Sequence, residues 1–171
     1  MALVVGLSLA ATLCSSGAGD KAEPTTRPTS KSSTTTTPKA EDEVVRAYRR
    51  FWDTYLAAAD PPNPEDPRLS DVATGDERRK LGGTFLAAKE AGEVFRGSID
   101  LAPVVLEVAS DRARLRDCYD DHILAYDAKT GELKDRDDPR RHLVVVTMVL
   151  QDARWKVTSI VPQGDGCVPD A

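Results

Sequence analysis

The chain has 171 residues, 40% of them hydrophobic and 30% charged, with a formal net charge of −5. A length in that range holds one domain with appendages rather than two full cores. Residues 1–40 are net basic, so residues 41–171 are more acidic than the chain as a whole; with no basic stripe interleaved with aromatics, this excludes nucleic acid as a partner.

Residues 1–13, Met-Ala-Leu-Val-Val-Gly-Leu-Ser-Leu-Ala-Ala-Thr-Leu, are almost wholly apolar. The run is long enough for the core of a signal peptide and too short for the ~20 residues that span a bilayer. Such cores follow a positively charged segment and none stands here, so either the true start lies upstream of Met1, the favoured reading, or the export signal is weak. The run ends at Cys14, followed by Ser-Ser-Gly-Ala-Gly. A cysteine so placed resembles a bacterial lipobox, although Ala11 stands where that pattern expects Leu and Leu13 where it expects Gly, Ala or Ser. Residues 1–14 are therefore expected to be a signal peptide with lipobox, Cys14 the lipidation site, and the outer face of the cell membrane the address. Ordinary cleavage near Ala10-Ala11 or within Ser15–Gly19, releasing a soluble secreted protein, is the alternative. Residues 15–40, rich in Ser, Thr and Pro, cannot bury enough apolar surface to offset the entropy of ordering. They are expected to form a disordered linker, roughly 28 Å from end to end as a random coil.

Residues 41–60 carry the clearest helical period. Val44, Val45, Tyr48, Phe51, Trp52, Tyr55, Leu56 and Ala59 share one face, with acidic Glu41, Asp42 and Glu43 at the start. Asp60-Pro61-Pro62 must end it. A loop and about one helical turn around Leu69–Ala73 follow. Thr74-Gly-Asp-Glu77 has the spacing of a capping box opening a second helix, with Leu81, Phe85 and Ala88 as its stripe and Gly92 as its stop. Beyond Gly92 the period becomes two. Strands are expected at Val94–Ile99, Val104–Ala109, Arg112–Tyr119, Ile123–Asp127, His142–Gln151 and Trp155–Val161, with short turns at Ser110-Asp111 and Asp152-Ala153 and a charged loop at Asp135–Arg141. Helices first and an antiparallel meander after them predict an α+β domain over residues 41–171, its N-terminal helices packed on one face of a curved sheet.

Apart from Cys14 the chain holds Cys118 and Cys167. In an exported protein such a pair reads as a disulfide. Metal binding is the competing reading, with a poor ligand count: neither belongs to a Cys-x-x-Cys pair, and only His122 lies near Cys118 in sequence. No nucleophile elbow, phosphate-binding loop or zinc signature is present, so neither a cofactor nor a metal is expected.

The order of elements, with Phe95-Arg-Gly-Ser-Ile99, Asp117-Cys-Tyr-Asp-Asp121, Tyr126-Asp-Ala-Lys-Thr-Gly131, Gln151-Asp-Ala-Arg-Trp-Lys-Val157 and Gly166-Cys167, resembles the nuclear transport factor 2-like superfamily. The likeness covers about residues 41–168 and is closest to exported and lipoprotein members of the actinobacterial type. It implies the cystatin-like fold of ketosteroid isomerases and SnoaL-like cyclases, with a cone-shaped pocket between sheet and helices. Some relatives are enzymes that use acids or His within that cone, and many are non-catalytic binding or dimerisation modules.

Alternation along 112–119 puts Ala113, Leu115, Asp117 and Tyr119 on one face and Arg112, Arg114, Arg116 and Cys118 on the other. If the Leu115 face lines the cone, burial raises the Asp117 pKa and fits it for proton transfer; a structural Asp capping a turn is the plainer reading. Tyr48, Trp52 and Tyr55 line the same pocket or are simply core. His122, beside Asp120 and Asp121, is a base candidate or a solvated loop residue, and His142 reads as a surface residue opening its strand. The long strand is apolar on both faces from Leu143 to Leu150, so its outer side needs cover, from a second copy or from the tail held by Cys167.

The expected function is a membrane-tethered, non-catalytic domain at the cell envelope, binding a protein partner or a small apolar ligand. The alternative is an exported isomerase or cyclase using Asp117 with Tyr48 or Tyr55. An open void on which Asp117 and a tyrosine converge favours the enzyme; a cone filled by Phe51, Trp52, Phe85 and Leu115 favours the binding module.

Overall fold

A computed structural model of the chain describes residues 38–134, 140–164 and 167. The expected signal peptide, Cys14 and the linker up to residue 37 lie outside the described residues, as does most of the charged loop before Arg140. Three helices, α1 (Pro38–Ala59), α2 (Pro67–Val72) and α3 (Gly75–Ala91), precede seven strands. These are β1 (Glu93–Arg96), β2 (Ile99–Asp100), β3 (Val104–Val108), β4 (Arg112–Asp121), β5 (Leu124–Asp127), β6 (Arg140–Gln151) and β7 (Arg154–Pro162). The α+β layout expected from the sequence is the one observed.

Helix α1 starts at Pro38, three residues before the expected point. A proline suits the first helical turn, where its missing N–H has no partner to lose. The face it buries is Val44, Ala47, Tyr48, Phe51, Ala58 and Ala59, while Val45, Trp52, Tyr55 and Leu56 are only half-buried. The helix is thus rotated toward its alanines, and α2 and β7 are the elements that pack most extensively on it. Helix α2 is capped by Asp66, whose Oδ1 accepts from the Arg68 amide at 2.9 Å, and Pro67 opens its first turn. The Arg68 guanidinium grips the same carboxylate and, with the amide, holds its pKa below the usual range.

The capping box expected at α3 does not form. Thr74 has the extended backbone of a cap, yet its side chain makes no capping bond. Glu77 turns inward instead, 7% exposed. Its Oε2 accepts from the Ile160 amide of β7 at 3.1 Å and from Lys80 at 3.3 Å. The Thr74 amide donates to the Val157 carbonyl at 2.9 Å. Strand β7 is an edge strand, and the start of α3 satisfies backbone groups that would otherwise invite pairing with another chain. Glu77→Ala is expected to cost about 1–2 kcal/mol in urea unfolding, because it leaves the Ile160 amide without its acceptor. Gly92 closes α3 with a left-handed φ of 65°, as expected.

The stretch read as one strand at 94–99 is broken at Gly97. Its φ is 142°, and a Cβ there would meet the His122 carbonyl oxygen at 2.1 Å. The break separates β1, which pairs with β5 in a two-stranded ribbon, from β2, which pairs with β4. The main sheet is antiparallel and open. Strands β2 and β3 share one edge of β4, and β6 and β7 follow on its other side. The β4–β6 register runs without slippage from Arg112↔Val149 to Asp121↔Arg140, so the alternation expected for β4 holds. Asp152 and Ala153, with φ of 53° and 58°, make the two-residue turn between β6 and β7.

The core lies between the helices and the inner face of this sheet, with Tyr48, Phe51, Phe85, Leu115 and Met148 among its fully buried side chains. On the outer face, Cys118 is bonded to Cys167, their Cα atoms 5.6 Å apart. No described helix is long and apolar enough to cross a membrane.

Candidate functional site

Of the five pocket candidates, Tyr48 lies near both Asp117 and Trp52, and Leu115 belongs to the same buried core. Asp117 has no exposed surface. Its Oδ1 accepts from the Ala102 amide at 2.8 Å, in the link between β2 and β3. Its Oδ2, the Tyr48 hydroxyl and the Trp52 indole N–H make no hydrogen bond among the described residues. The Tyr48 hydroxyl nonetheless lies close enough to Asp117 and Trp52 for each to act on it. Burial pushes the Asp117 carboxyl above the ordinary carboxylate range; the Ala102 amide, the Tyr48 hydroxyl, the Cys118 amide and the Arg49 charge pull it partly back. Burial, with the negative charge of Asp117, drives the Tyr48 phenol upward too, so it keeps its proton and remains a donor.

An acid and a phenol buried side by side have the elements of proton transfer, but transfer needs a substrate in contact with them. Tyr48, Phe85, Leu115 and Asp117 are all 0% exposed, and Phe51 is 1% exposed. The surroundings of Asp117 and Tyr48 are closed to solvent.

Tyr55 sits further along α1, half-buried, in an aromatic cluster centred on Trp52. The Trp52 ring centroid lies 5.2 Å from Phe51, 5.6 Å from Tyr55 and 5.3 Å from Tyr119. His142 extends the cluster, 5.0 Å from Tyr119, with Nε2 3.9 Å from Asp121 Oδ2. It lies near the start of β6 and is partly exposed, and it stands opposite Tyr119 in the register, on the same face as buried Val144, Val146 and Met148. That alternation was the available signal. Burial first, then the Asp121 charge, push both Tyr55 and Tyr119 up to about 12. His122 does not join Tyr48 and Asp117; its Nε2 lies 3.3 Å from Asp100 Oδ2 on the exposed side. Among the described residues no three His, Cys, Asp or Glu side chains are grouped to hold a metal ion.

Concavity open to solvent lies elsewhere. A groove of about 620 Å³ runs between α1, α2 and the β6–β7 turn. Buried Ala47, Val72 and Trp155 contribute apolar surface, and Arg46, Arg50, Arg68 and Arg154 contribute charge against Glu43 and Asp71. Arg154 pairs with Asp71 at 2.6 Å and Arg68 with Asp66, whereas Arg46 and Arg50 meet no carboxylate among the described residues. Arg46 and Arg50 lie off the apolar face that the sequence marks on α1, and sequence reasoning missed the groove. Their i, i+4 spacing beside Ala47 was visible, but α2 and the turn that wall it in come from distant sequence.

No protein-family model matches the sequence, and no curated protein matches it. Among solved structures, the fold is similar to that of the intermembrane space region of chloroplast protein ARC6, with a TM-score of 0.55 at 14% identity, covering 72% of this chain and 95% of that one. The Kfla4162 protein from Kribbella flavida aligns with a TM-score of 0.48 at 19% identity over 72% of this chain and 89% of its own. A protein of unknown function with a cystatin-like fold, from Nostoc punctiforme, aligns with a TM-score of 0.40 at 13% identity over 74% and 91%. The ARC6 likeness concerns fold alone: helices followed by an open antiparallel sheet.

Proposed function

We propose that this chain is a non-catalytic binding module of the nuclear transport factor 2-like type, held at the outer face of the cell membrane by lipid on Cys14. One observation carries the non-catalytic reading: the acid and tyrosine an isomerase-like enzyme requires are sealed at 0% exposure, while the open groove lies on the other side of α1. The Cys118–Cys167 bond supports an address where thiols oxidise. The groove is then the surface that meets the partner.

A second copy docking on the outer sheet is the other reading, favoured by Val104 and Val161, which face outward at 47% and 48% exposure. Photo-crosslinking residues at Glu43, on the groove, and at Val104, on the sheet, separate the two in cells that express the protein. A discrete adduct from position 43 is expected. A dimer-sized adduct from position 104 alone overturns the groove reading, and no adduct from either overturns binding through both. Mass spectrometry of protein extracted from the native membrane is expected to show Cys14 diacylated at the mature N-terminus; an unmodified mature chain sinks the tether.

A further inference from the structure

We infer that the groove between α1, α2 and the β6–β7 turn takes a small anionic amphiphile: one acidic head group on an apolar body. The inference rests on the groove being the binding surface and adds the chemistry of what it holds.

The size suits such a ligand. Small-molecule sites typically enclose 300–1,000 Å³ and combine apolar walls with a few placed polar groups, and this groove offers about 620 Å³. Its charge is the reverse of the chain's. The protein is acidic overall, with a formal charge of −5, yet four arginines face two carboxylates here. Arg154 and Arg68 are already committed to Asp71 and Asp66. The uncommitted positive charge is therefore that of Arg46 and Arg50, one helical turn apart. Like charges at i, i+4 destabilise a helix slightly, and no carboxylate among the described residues forms an ion pair with either of these two. Glu43 stands on the same wall, three residues before Arg46, and sets a limit: the head group has to lie toward Arg50, away from that carboxylate. Beside these guanidiniums lie Ala47, Val72 and Trp155, 3%, 2% and 8% exposed. They give an apolar body somewhere to rest while its head accepts charge-assisted bonds from the arginine fork. A purely apolar ligand leaves both guanidiniums without an anion, and a long acidic peptide makes no use of the apolar wall.

Titration of the full chain with anilinonaphthalene sulfonate tests this, with phenylnaphthylamine as the neutral counterpart bearing the same rings. Saturable one-to-one binding of the anion is expected, weakening as salt rises. The neutral compound is expected to bind at least about tenfold more weakly. Arg46→Gln and Arg50→Gln are each expected to weaken the anion about tenfold at unchanged Tm, whereas Arg114→Gln, on the outer sheet, leaves it unchanged. Equal affinity for both compounds, or indifference to Arg46→Gln and Arg50→Gln, overturns the inference. So does tighter binding of an oligoglutamate peptide, which makes the partner an acidic segment. A discrete position-43 adduct with no amphiphile binding overturns this chemistry and leaves the groove reading intact. Failure of both removes the groove altogether.

Discussion

Replacing Cys118 and Cys167 together by serine is expected to lower the unfolding free energy by about 4 kcal/mol, with a matching fall in the urea midpoint at unchanged slope. The bond joins residues 49 apart in sequence. In the chain-entropy picture, a loop of that length removes ~4 kcal/mol of conformational freedom from the unfolded chain. The location adds to the effect. Cys118 lies near the middle of β4, which pairs with β2, β3 and β6 and so holds the main sheet together. Its amide also helps hold Asp117 on the opposite face. The same loss is expected when the unmodified protein is unfolded under a strong thiol reductant, and the reductant has no effect on the double variant. A loss below about 1 kcal/mol contradicts a structural role for the bond and weakens the argument for an oxidising compartment.

Asp117 sets the second large effect, and it has a sign that pH reveals. Its carboxyl is raised in the folded state, chiefly by burial. The folded protein therefore holds this proton more tightly than the unfolded chain, whose carboxylate titrates at about 3.9. The stability contributed by the protonated form is complete below that value and is lost as pH rises through the raised folded value. Asp117→Asn keeps an oxygen for the Ala102 amide and carries no charge. Its advantage over the parent is expected to grow as pH climbs from about 4, then level off once the parent carboxyl is ionised. Asp66, Asp120 and Asp127 are lowered, by Arg68, Arg141 and the Thr130 amide respectively, and they destabilise the protein as pH falls. They act equally in both proteins and cancel in the difference. Asp117→Leu removes the acceptor as well as the charge, leaving the buried amide unpaired. It is expected to be less stable than Asp117→Asn by about 1–3 kcal/mol at every pH. Urea unfolding of the three proteins between pH 4 and 8 measures this. An Asn variant that loses ground to the parent as pH rises means that Asp117 is a satisfied carboxylate, and the description of its pocket is wrong.

Both effects concern residues that local sequence placed correctly. The two-residue period of β4 assigned Leu115 and Asp117 to one face and Cys118 to the other, and an unbroken register with β6 preserved that division. Where reasoning from sequence missed, the deciding partner was remote. Thr74 and Glu77 have the spacing of a capping box, but Glu77 found a stronger use 83 residues away, on the Ile160 amide of an edge strand. The aromatic period of α1 marked Trp52 as core; the helix buries Ala47, Ala58 and Ala59 instead, and Trp52 is left half-buried at the centre of the aromatic cluster. Gly97 stood inside a plausible strand, and only the His122 carbonyl against it shows why the strand stops there.

By itself the sequence determined the class of fold, where α1 and α3 stop, the faces of β4 and the partnership of Cys118 with Cys167. Each depends on backbone preferences, side-chain period or residue chemistry, all of which act within a few neighbours or through a unique pair. Tertiary structure alone decided that Asp117 and Tyr48 are shut away from solvent and that Arg46, Arg50 and Trp155 border one open groove. Exposure and concavity depend on which distant segments pack together, and no local pattern carries that information.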